Sequence, residues 1–298
     1  MPRCAAALSR SQGKCTISLA DPRPLLRGVC LAGFALAASP AVAMEIAADA
    51  LGRLLPADVV ILGEIHDNPE HHRNQAVAVA ALKPRALVFE MLTPQKALQT
   101  PPDRGDAAAL ARAFGWQTSG WPDFAMYHPI FVAAPQARIY GGDLPPGDAR
   151  RAVSDGAARV FGADAPRYGL TTPLTPEDQS LREAEQREAH CNALPENLLP
   201  GLVEAQRLRD AALARAVVQA LDETGGPVAV ITGSGHARVD RGVPAVLARV
   251  APQARVLSVG QIEGPAAAEQ PYDLWIVTKA VPRDDPCAAF ATDPAQGG

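Results

Sequence analysis

Acidic and histidine residues are concentrated in the segment 63–72 (GEIHDNPEHH). Imidazole and carboxylate side chains can transfer protons near neutral pH, and both are ligands for divalent metal ions. The apolar run 58–62 comes directly before this segment and predicts a buried strand. Because sites in open α/β sheets form beyond the carboxyl ends of strands, Glu64 and His66 are expected to line such a site.

Polar residues also follow three later predicted strands. These strands are residues 86–90, ending at Glu90; residues 137–142, followed by Asp143; and residues 227–232, followed by Ser234 and His236. The carboxyl ends of parallel strands meet at one edge of a sheet. We therefore predict a catalytic group made of Glu64, His66, Glu90 and His236. Three of these residues, Glu64, His66 and His236, are also candidate metal ligands.

Each of these residues also has a purely structural explanation. His66 and His236 would then be buried histidines bonded to the main chain, and Glu90 would cap a helix that begins near Thr93. His71 and His72 are predicted at the start of the helix 70–82, where neighbouring side chains point about 100° apart. Only one of the two can face the site, and a solvated position is the alternative for either.

The alternation of strands and helices predicts an α/β fold, with a mainly parallel sheet flanked by helices. Residues 254–259 and 272–279 are the remaining predicted strands, and 124–136 is predicted to be helical. The stretch 147–222 contains helices without a strand and is expected to form an inserted helical subdomain. Its last helix, 196–222, carries polar residues on an otherwise apolar face, formed by Gln206, Asp210, Leu213 and Val217. Gln206 and Asp210 are therefore expected to point inward, either to support the site or to bond a neighbouring loop.

Familiar enzyme signatures are missing from the sequence. It contains no H-E-x-x-H zinc pair, no G-x-S-x-G nucleophile elbow, no P-loop and no G-x-G-x-x-G after a strand. The chemistry must therefore be inferred from the strand ends themselves.

The first 43 residues resemble an export signal. A basic flank with Arg23 and Arg27 precedes the apolar run 28–38, and residues 41–43 form an A-x-A cleavage site. We therefore expect a periplasmic protein with a domain over residues 44–287 and a tail over 288–298. Cys30 lies at the start of the apolar run, so a lipid anchor is not indicated. Cleavage would remove five basic residues and one acid, which changes the net charge from −4 to −8 and disfavours nucleic acid as a partner.

Two cysteines remain after such a cleavage, Cys191 and Cys287. In an oxidising compartment two cysteines most often pair, and two free thiols are the alternative. A bond between them would close a loop of about 95 residues, worth about 4–5 kcal/mol in the chain-entropy model.

An ordered set of motifs resembles one known family. The set consists of the segment 63–72 followed by Gln75, the sequence FEM at 89–91, GWP at 120–122 with Tyr127 and Pro129-Ile130, His190-Cys191, Ala205-Gln206 with Asp210, GSGH at 233–236 and GVP at 242–244. Taken together, these motifs resemble the ChaN-like haem-binding uptake proteins of the TIKI superfamily, over about residues 45–287. That superfamily also contains metalloprotease and erythromycin-esterase-like relatives.

The resemblance implies haem as the ligand and a role in haem or iron acquisition. It further implies haem iron held by a tyrosine, for which Tyr127 is the candidate, with a packing role as the alternative. His128 is a second candidate ligand or a contact to another haem, and Tyr140 and Tyr168 are weaker candidates. A homodimer with stacked haems and an outer-membrane uptake receptor are the partners that the resemblance suggests.

Three functions are therefore open at this point. The leading one is an exported haem-binding protein. The alternative is a metal-dependent hydrolase, peptidase or esterase-like, that uses Glu64, His66, Glu90 and His236 with a divalent metal. A third is a scaffold without chemistry of its own.

Overall fold

A computed structural model describes residues 43–288 of the chain. The export signal expected over 1–43 and most of the predicted tail lie outside the described residues. Within them, seven strands form one sheet: β1 (Met44–Glu45), β2 (Val59–Glu64), β3 (Ala86–Phe89), β4 (Arg138–Gly141), β5 (Val228–Gly233), β6 (Val256–Glu263) and β7 (Leu274–Thr278).

All the strand pairs in this sheet are parallel, in the order β1-β7-β6-β2-β5-β3-β4. The prediction of a mainly parallel α/β sheet flanked by helices is confirmed. Strand β1 was not predicted, because two residues are too short for a hydrophobic period to be recognised.

Helices follow the strands and cover the sheet. They are α1 (Pro69–Leu82), α2 (Pro94–Ala97), α3 (Ala107–Ala113), α4 (Phe124–Ala133), α5 (Asp148–Asp155), α6 (Ala157–Phe161), α7 (Pro176–Ala189), α8 (Leu199–Thr224), α9 (Ser234–Ala237) and α10 (Val243–Val250). Short 3-10 turns lie at Ala48–Arg53, Trp116–Thr118 and Glu196–Leu198. Among the described residues, no helix is long and apolar enough to cross a membrane.

Alternate residues of the central strands enter two separate cores. Val59 and Ile61 of β2 pack on the face that α8 and α10 cover. Val60 and Leu62 pack on the opposite face, with α1 and α4. Successive side chains of a strand point to opposite faces, so a strand that is apolar at every position is buried on both. The position of Glu64, at the carboxyl end of β2, is therefore set by the packing of the strand in both cores.

Helix α1 is placed by its first turn. Asn68 caps it by accepting a hydrogen bond from the main-chain nitrogen of Glu70, and Pro69 occupies the first helical position. The helix ends at Lys83, which has a positive φ of 49°. Starting directly after the loop from β2, α1 turns His72 and Gln75 back toward the carboxyl end of that strand.

Between β4 and β5 the chain forms only helices, α5 to α8. The long helix α8 packs across β3, β4 and β5 and carries the stretch onto the sheet. Asp210 of α8 is buried, in agreement with the inward orientation predicted for it.

The C-terminal segment is attached at two places. Cys191 and Cys287 form a disulfide with a Cα–Cα distance of 5.3 Å, which confirms the predicted pair. Arg283 bonds both carboxylate oxygens of Asp67, at 2.6 and 2.5 Å, and also contacts Glu263. The segment after β7 is thereby fixed to the loop that carries His66 and to the end of α7.

Candidate functional site

The carboxyl ends of β2, β5, β3 and β4 lie side by side, because these strands are neighbours in the sheet. Glu64, the last residue of β2, is paired in register with Gly233 of β5. Glu90 follows directly after β3, and its main-chain nitrogen bonds to Ile231 of β5. The structure thus brings Glu64, His66, Glu90 and His236 to one edge of the sheet.

Glu64 is buried, and both of its carboxylate oxygens accept hydrogen bonds from other side chains. Its Oε1 accepts hydrogen bonds from Nδ1 of His66, at 2.8 Å, and from the hydroxyl of Tyr127, at 2.9 Å. Its Oε2 accepts a hydrogen bond from Nε2 of Gln75, at 2.7 Å, and lies 3.4 Å from Nδ1 of His72. Glu64 therefore orients the residues around it and does not face the solvent.

His66 is the predicted site residue that stays open to solvent, with 34% of its side chain exposed. Its ring packs edge-on against Trp121, with ring centroids 4.9 Å apart, and its Nε2 lies 4.0 Å from Glu90 Oε1. Burial lowers the pKa of His66, but the bond to Glu64 and the charge of Glu90 outweigh it and raise the pKa above the ordinary value.

Gly233 keeps the space beside His66 open. A Cβ atom at this position would lie 3.0 Å from Nε2 of His66. A side chain here would press on the imidazole, so glycine at position 233 gives His66 room beside the strand end.

Glu90 is held as a carboxylate. Its Oε2 accepts hydrogen bonds from the hydroxyl of Thr232 and the main-chain nitrogen of Gly233, both at 2.7 Å. Burial raises its pKa, but the charge and hydrogen bond of His236 dominate and hold the pKa well below the ordinary value. The alternative role, capping of the next helix, falls to Thr93, which caps α2.

His236 lies buried between two carboxylates. Its Nδ1 donates to Oδ1 of Asp210 at 2.6 Å, and its Nε2 lies 3.5 Å from Oε1 of Glu90. Burial lowers the pKa of His236, but the two negative charges raise it to about 10. His236 is therefore an imidazolium at neutral pH, and the amide of Gln206 packs 3.1 Å from its Nδ1.

A cavity of about 360 Å³ opens next to these residues. Its lining includes Glu90 and His236 from the predicted site, together with Trp121, Gly142, Asp143, Gln206, Arg209 and Leu213. His66 lies against two of the lining residues, Glu90 and Trp121. Asp143, predicted from the end of the third strand, is half-buried, and burial raises its pKa.

Sequence reasoning missed Trp121 and Arg209 as site residues. Gln206, Arg209 and Leu213 line the cavity and follow each other on α8 by three and four residues. This spacing is typical of one helix face, and it could have identified Arg209. Trp121 lies in a loop, which has no helix or strand period from which the direction of its side chain could be predicted. The loop is fixed by Trp116, whose Nε1 donates to the carbonyl of Pro122 at 2.7 Å.

Tyr127 is fully buried, and its hydroxyl donates to Glu64. Its ring packs on those of His72 and Trp116, with centroids 4.2 and 4.9 Å away. Burial and the negative charge of Glu64 raise the pKa of Tyr127 far above its ordinary value. Tyr127 as a haem-iron ligand stays a prediction, and it requires the phenol to leave Glu64 and lose its proton.

The other ligands that the resemblance suggested lie away from the cavity. His128 is half-buried, and its Nε2 donates to the carbonyl of Arg104 at 2.9 Å. Tyr140 is buried and donates to Glu223, and Tyr168 is buried against Phe161. The structure therefore exposes none of the three predicted tyrosines, which all lie within the described residues.

The two adjacent histidines of α1 have different surroundings. His71 accepts a hydrogen bond from the main-chain nitrogen of Ile65 on Nδ1 and bonds Thr278 through Nε2, and burial lowers its pKa to about 4. His72 donates from Nε2 to the carbonyl of His66 and turns Nδ1 toward Glu64. Of the pair, His72 faces the site and His71 supports the sheet edge.

The predicted metal set of Glu64, His66 and His236 does not form a coordination sphere. Over residues 43–288, no group of three or more His, Cys, Asp or Glu side chains is arranged to hold a metal ion. The carboxylate and imidazole groups already have protein partners. Both oxygens of Glu64 accept hydrogen bonds from side chains, and His236 is held between Asp210 and Glu90. A divalent metal site is therefore not supported.

The donor set at the cavity does fit a haem. The imidazole of His66 donates from Nδ1 to a carboxylate, which is the usual support for a histidine that binds a metal through its other nitrogen. Trp121 offers an aromatic surface beside it, and Arg209 is exposed and forms no ion pair within the described residues. These are groups suited to an axial ligand, a stacking partner and a carboxylate partner, respectively.

The part of the chain that carries this site matches a known protein family. The family described as haem-binding uptake, Tiki superfamily, ChaN, matches residues 50–247. A solved structure titled as cofacial heme binding to ChaN of Campylobacter jejuni is similar, with a TM-score of 0.57 and 21% identity. The match covers 74% of this chain and 87% of that chain. No curated protein shows significant similarity to this chain.

Two other solved structures are more distant. The type III effector HopBA1 has a TM-score of 0.38 and 12% identity, covering 74% of this chain and 88% of that chain. An erythromycin esterase has a TM-score of 0.36 and 11% identity, covering 70% of each chain. The likeness to the Campylobacter protein establishes the fold. The family match spans about two thirds of the sequence and confirms the family that the motifs predicted, although it ends at residue 247 and not near 287. The chain therefore belongs to the ChaN family of haem-binding uptake proteins in the Tiki superfamily.

Proposed function

We propose that this member of the family is an exported haem-binding protein that takes part in haem or iron acquisition. The observation that carries the proposal is the arrangement of His66. Its imidazole is part-exposed, oriented by the buried carboxylate of Glu64, and packed on Trp121 beside a cavity of about 360 Å³. That volume is at the small end for ligand pockets, so a haem would be enclosed only in part.

Three side chains would contact the haem, each in a different way. Haem supplies an iron that accepts an axial nitrogen ligand. His66 would present Nε2 as that ligand, with its ring held by Glu64. Trp121 would pack on the macrocycle, and Arg209 would pair with a propionate at the mouth of the cavity.

Two features support export. The basic and apolar pattern of residues 1–43 is typical of a cleaved signal, and Cys191 is paired with Cys287. Structural disulfides persist mainly in oxidising compartments. We accordingly propose a periplasmic location, with delivery to or from an outer-membrane uptake receptor.

A dimer is the oligomeric state that we propose for the haem-bound form. The Campylobacter relative is described by cofacial haem binding, in which two haems lie face to face. Since the cavity would enclose a haem only in part, a second copy of the chain would cover the remainder. Light scattering of the protein with and without hemin measures this directly, and a mass that stays monomeric at full loading would contradict the dimer.

Hemin titration of the purified protein tests the haem proposal. We expect a saturable Soret shift for the wild type and a loss of at least about tenfold in affinity for His66→Ala, because even loss of a group that only supports a metal ligand costs about 10- to 100-fold. Tyr127→Phe distinguishes the two ligand assignments, because it removes only a hydroxyl. His128→Ala is the matched control, since its ring bonds Arg104 away from the cavity.

Each result of the hemin titration has a different consequence for the proposal. No saturable shift in the wild type would overturn the haem proposal. A loss in Tyr127→Phe with an unchanged His66→Ala would move the ligand to the tyrosine. An equal loss in His128→Ala would show that the effect is not specific to the cavity.

A second candidate function rests on one observation. His236 is held between Asp210 and Glu90 beside His66, and such histidine–carboxylate pairs also serve general acid–base catalysis. A hydrolase using Glu64, His66, Glu90 and His236 would then act on a peptide or ester, but the metal it would require lacks a site in the described residues. Ester hydrolysis lost in both His66→Ala and His236→Ala would support it, and the absence of turnover in the wild type would remove it.

A further inference from the structure

Two smaller cavities lie next to each other on the side of α7 and α10. They measure about 220 Å³ and about 150 Å³, and Arg182, Asp210 and Arg241 line both of them. Gln206 lines the first of these cavities and also the large one. None of the residues so far assigned to haem explains these two spaces.

Arginine dominates the charged residues around the two cavities. The five guanidinium groups belong to Arg182, Arg207, Arg238, Arg241 and Arg249. Four of them pair with carboxylates, in the order Asp178, Glu204, Asp240 and Glu185. Arg249 is exposed and has no ion pair within residues 43–288. Asp210 is already paired with His236, so the cluster keeps an excess of positive charge.

Arg241 is the unusual member of this cluster. Only 8% of its side chain is exposed, and its Nη2 donates to Glu185. Its Nε and Nη1 are both buried and find no hydrogen-bond acceptor among the described residues. A buried charged donor without an acceptor is unfavourable, and the great majority of such groups in proteins are satisfied. The nearest carboxylate to Nε is that of Asp240, at 3.8 Å, which is beyond hydrogen-bond distance, so the guanidinium can accommodate a further acceptor.

We propose that these two cavities form an anion site that binds the carboxylate or phosphate group of a small ligand through Arg241 and Arg249. Guanidinium groups bind such oxyanions with short, charge-assisted hydrogen bonds. The cavities are too small for a whole drug-sized ligand, so the oxyanion group itself is the part that they accept. The site is distinct from the His66 cavity, and His66 does not line it.

The oxyanion can come from two sources, a free anion or a propionate of a haem bound in the large cavity. The shared lining residue Gln206 lies between the two spaces. Since Asp210 lines both arginine cavities and bonds His236, occupancy would also change the surroundings of the buried imidazolium.

Calorimetric titration of the haem-free full chain with inorganic phosphate, and separately with succinate, tests the site. We expect saturable binding of at least one of them to a single site. Arg241→Gln should weaken it about tenfold or more, as loss of a charged hydrogen bond implies, and Arg249→Gln should weaken it several-fold. Arg249→Gln removes an exposed side chain, so it remains informative if Arg241→Gln does not fold. Arg53→Gln is the control, because Arg53 is exposed and lines neither cavity.

The results either support or overturn the site. No saturable binding of either anion, unchanged affinity in both arginine variants, or an equal loss in Arg53→Gln would overturn it. Hemin and hemin dimethyl ester then identify the source. If Arg249→Gln weakens binding of hemin but not of the ester, a propionate fills the site. If it weakens neither while phosphate or succinate binding falls, a free anion fills it.

Discussion

The Nδ1 of His66 donates to the buried Oε1 of Glu64 at 2.8 Å, although only Ile65 separates the two residues in the chain. The carboxylate of Glu64 also accepts hydrogen bonds from Tyr127 on α4 and Gln75 on α1. Its position is therefore set by these two helices and not by a ligand. The imidazole is therefore oriented before any ligand arrives. Such a preorganised group loses little conformational entropy on binding.

Replacing Glu64 by Gln should lower the pKa of His66. The carboxylate favours the charged imidazole through its hydrogen bond and its charge, whereas an amide oxygen accepts a weaker hydrogen bond and carries no negative charge. Imidazole NMR titrations of wild type and Glu64→Gln measure the change. Glu70→Gln on the first turn of α1 is the control, and a His66 titration that is the same in all three proteins would contradict the argument.

Haem affinity should fall as the pH is lowered. A histidine must be neutral to bind a metal, and the pKa of His66 is raised above its ordinary value. Below that raised pKa, affinity should therefore drop by roughly tenfold for each pH unit, as expected for one released proton. Soret titrations between about pH 5 and about pH 8.5 measure the slope. In His66→Ala the residual binding should lose this dependence, and an equal slope in the variant would assign the proton to another group.

Asp210→Asn should destabilise the fold by about 3–5 kcal/mol, because it breaks a buried pair and leaves the imidazolium of His236 with Glu90 alone. The pKa of His236 is raised from 6.5 to about 10 in the folded chain. Its contribution to stability is therefore complete below pH 6.5 and is lost as the pH rises toward 10.

Urea unfolding at about pH 6 and about pH 9 measures both effects. The wild type should be more stable at the lower pH on account of His236, and Asp210→Asn should reduce this difference. Asp222→Asn, an exposed change on the same helix, serves as the control. Wild-type stability that rises between these pH values would show that other groups outweigh His236.

Arg209→Gln should weaken hemin binding by roughly tenfold, with the Soret spectrum of the bound form unchanged. Arg209 lies at the cavity and has no ion pair in the described part of the chain, so it is free to pair with a propionate. Hemin dimethyl ester should bind the wild type and the variant equally. A loss that is the same for hemin and its ester would mean that Arg209 acts through packing.

Cys191→Ser with Cys287→Ser should lower the free energy of unfolding by about 4 kcal/mol, within a typical range of about 2–5 kcal/mol, because the 96-residue separation closes a long loop. Denaturant unfolding of the double variant measures the loss. Wild-type protein unfolded in reducing buffer should show the same loss. Equal stability of oxidised and reduced protein would mean that Arg283 alone fixes the C-terminal segment.

The parts of the fold that were predicted depend on local patterns. The strand Val59–Glu64 is apolar up to Gly63, and glycine comes directly before Glu64, Ser234 and His236, so both the strand and its polar end can be recognised. The contacts that organise the site are long-range and leave no such pattern. Tyr127 reaches Glu64 across 63 residues, and His236 reaches Asp210 from another element.

The resemblance had a comparable limit. It identified Tyr127 as part of a loop-and-helix motif but could not indicate that its hydroxyl is buried against Glu64. Burial of a side chain depends on how α4 rests against α1, which is a property of packing and not of the motif. His66 was predicted at the site from its strand end, whereas the proposed role of Arg209 depends on a cavity that only the structure shows.

The strand order has a consequence for how the site is assembled. In the sheet, β2 lies between β5 and β6, whose residues follow it by more than 160 positions in the chain. Neither neighbour exists while the first half of the protein is being made, so Glu64 and His66 cannot reach their final places during early synthesis. Such non-local pairing is slow to form. The cavity beside His66 is therefore complete only once β5 and the segment that carries His236 have been made.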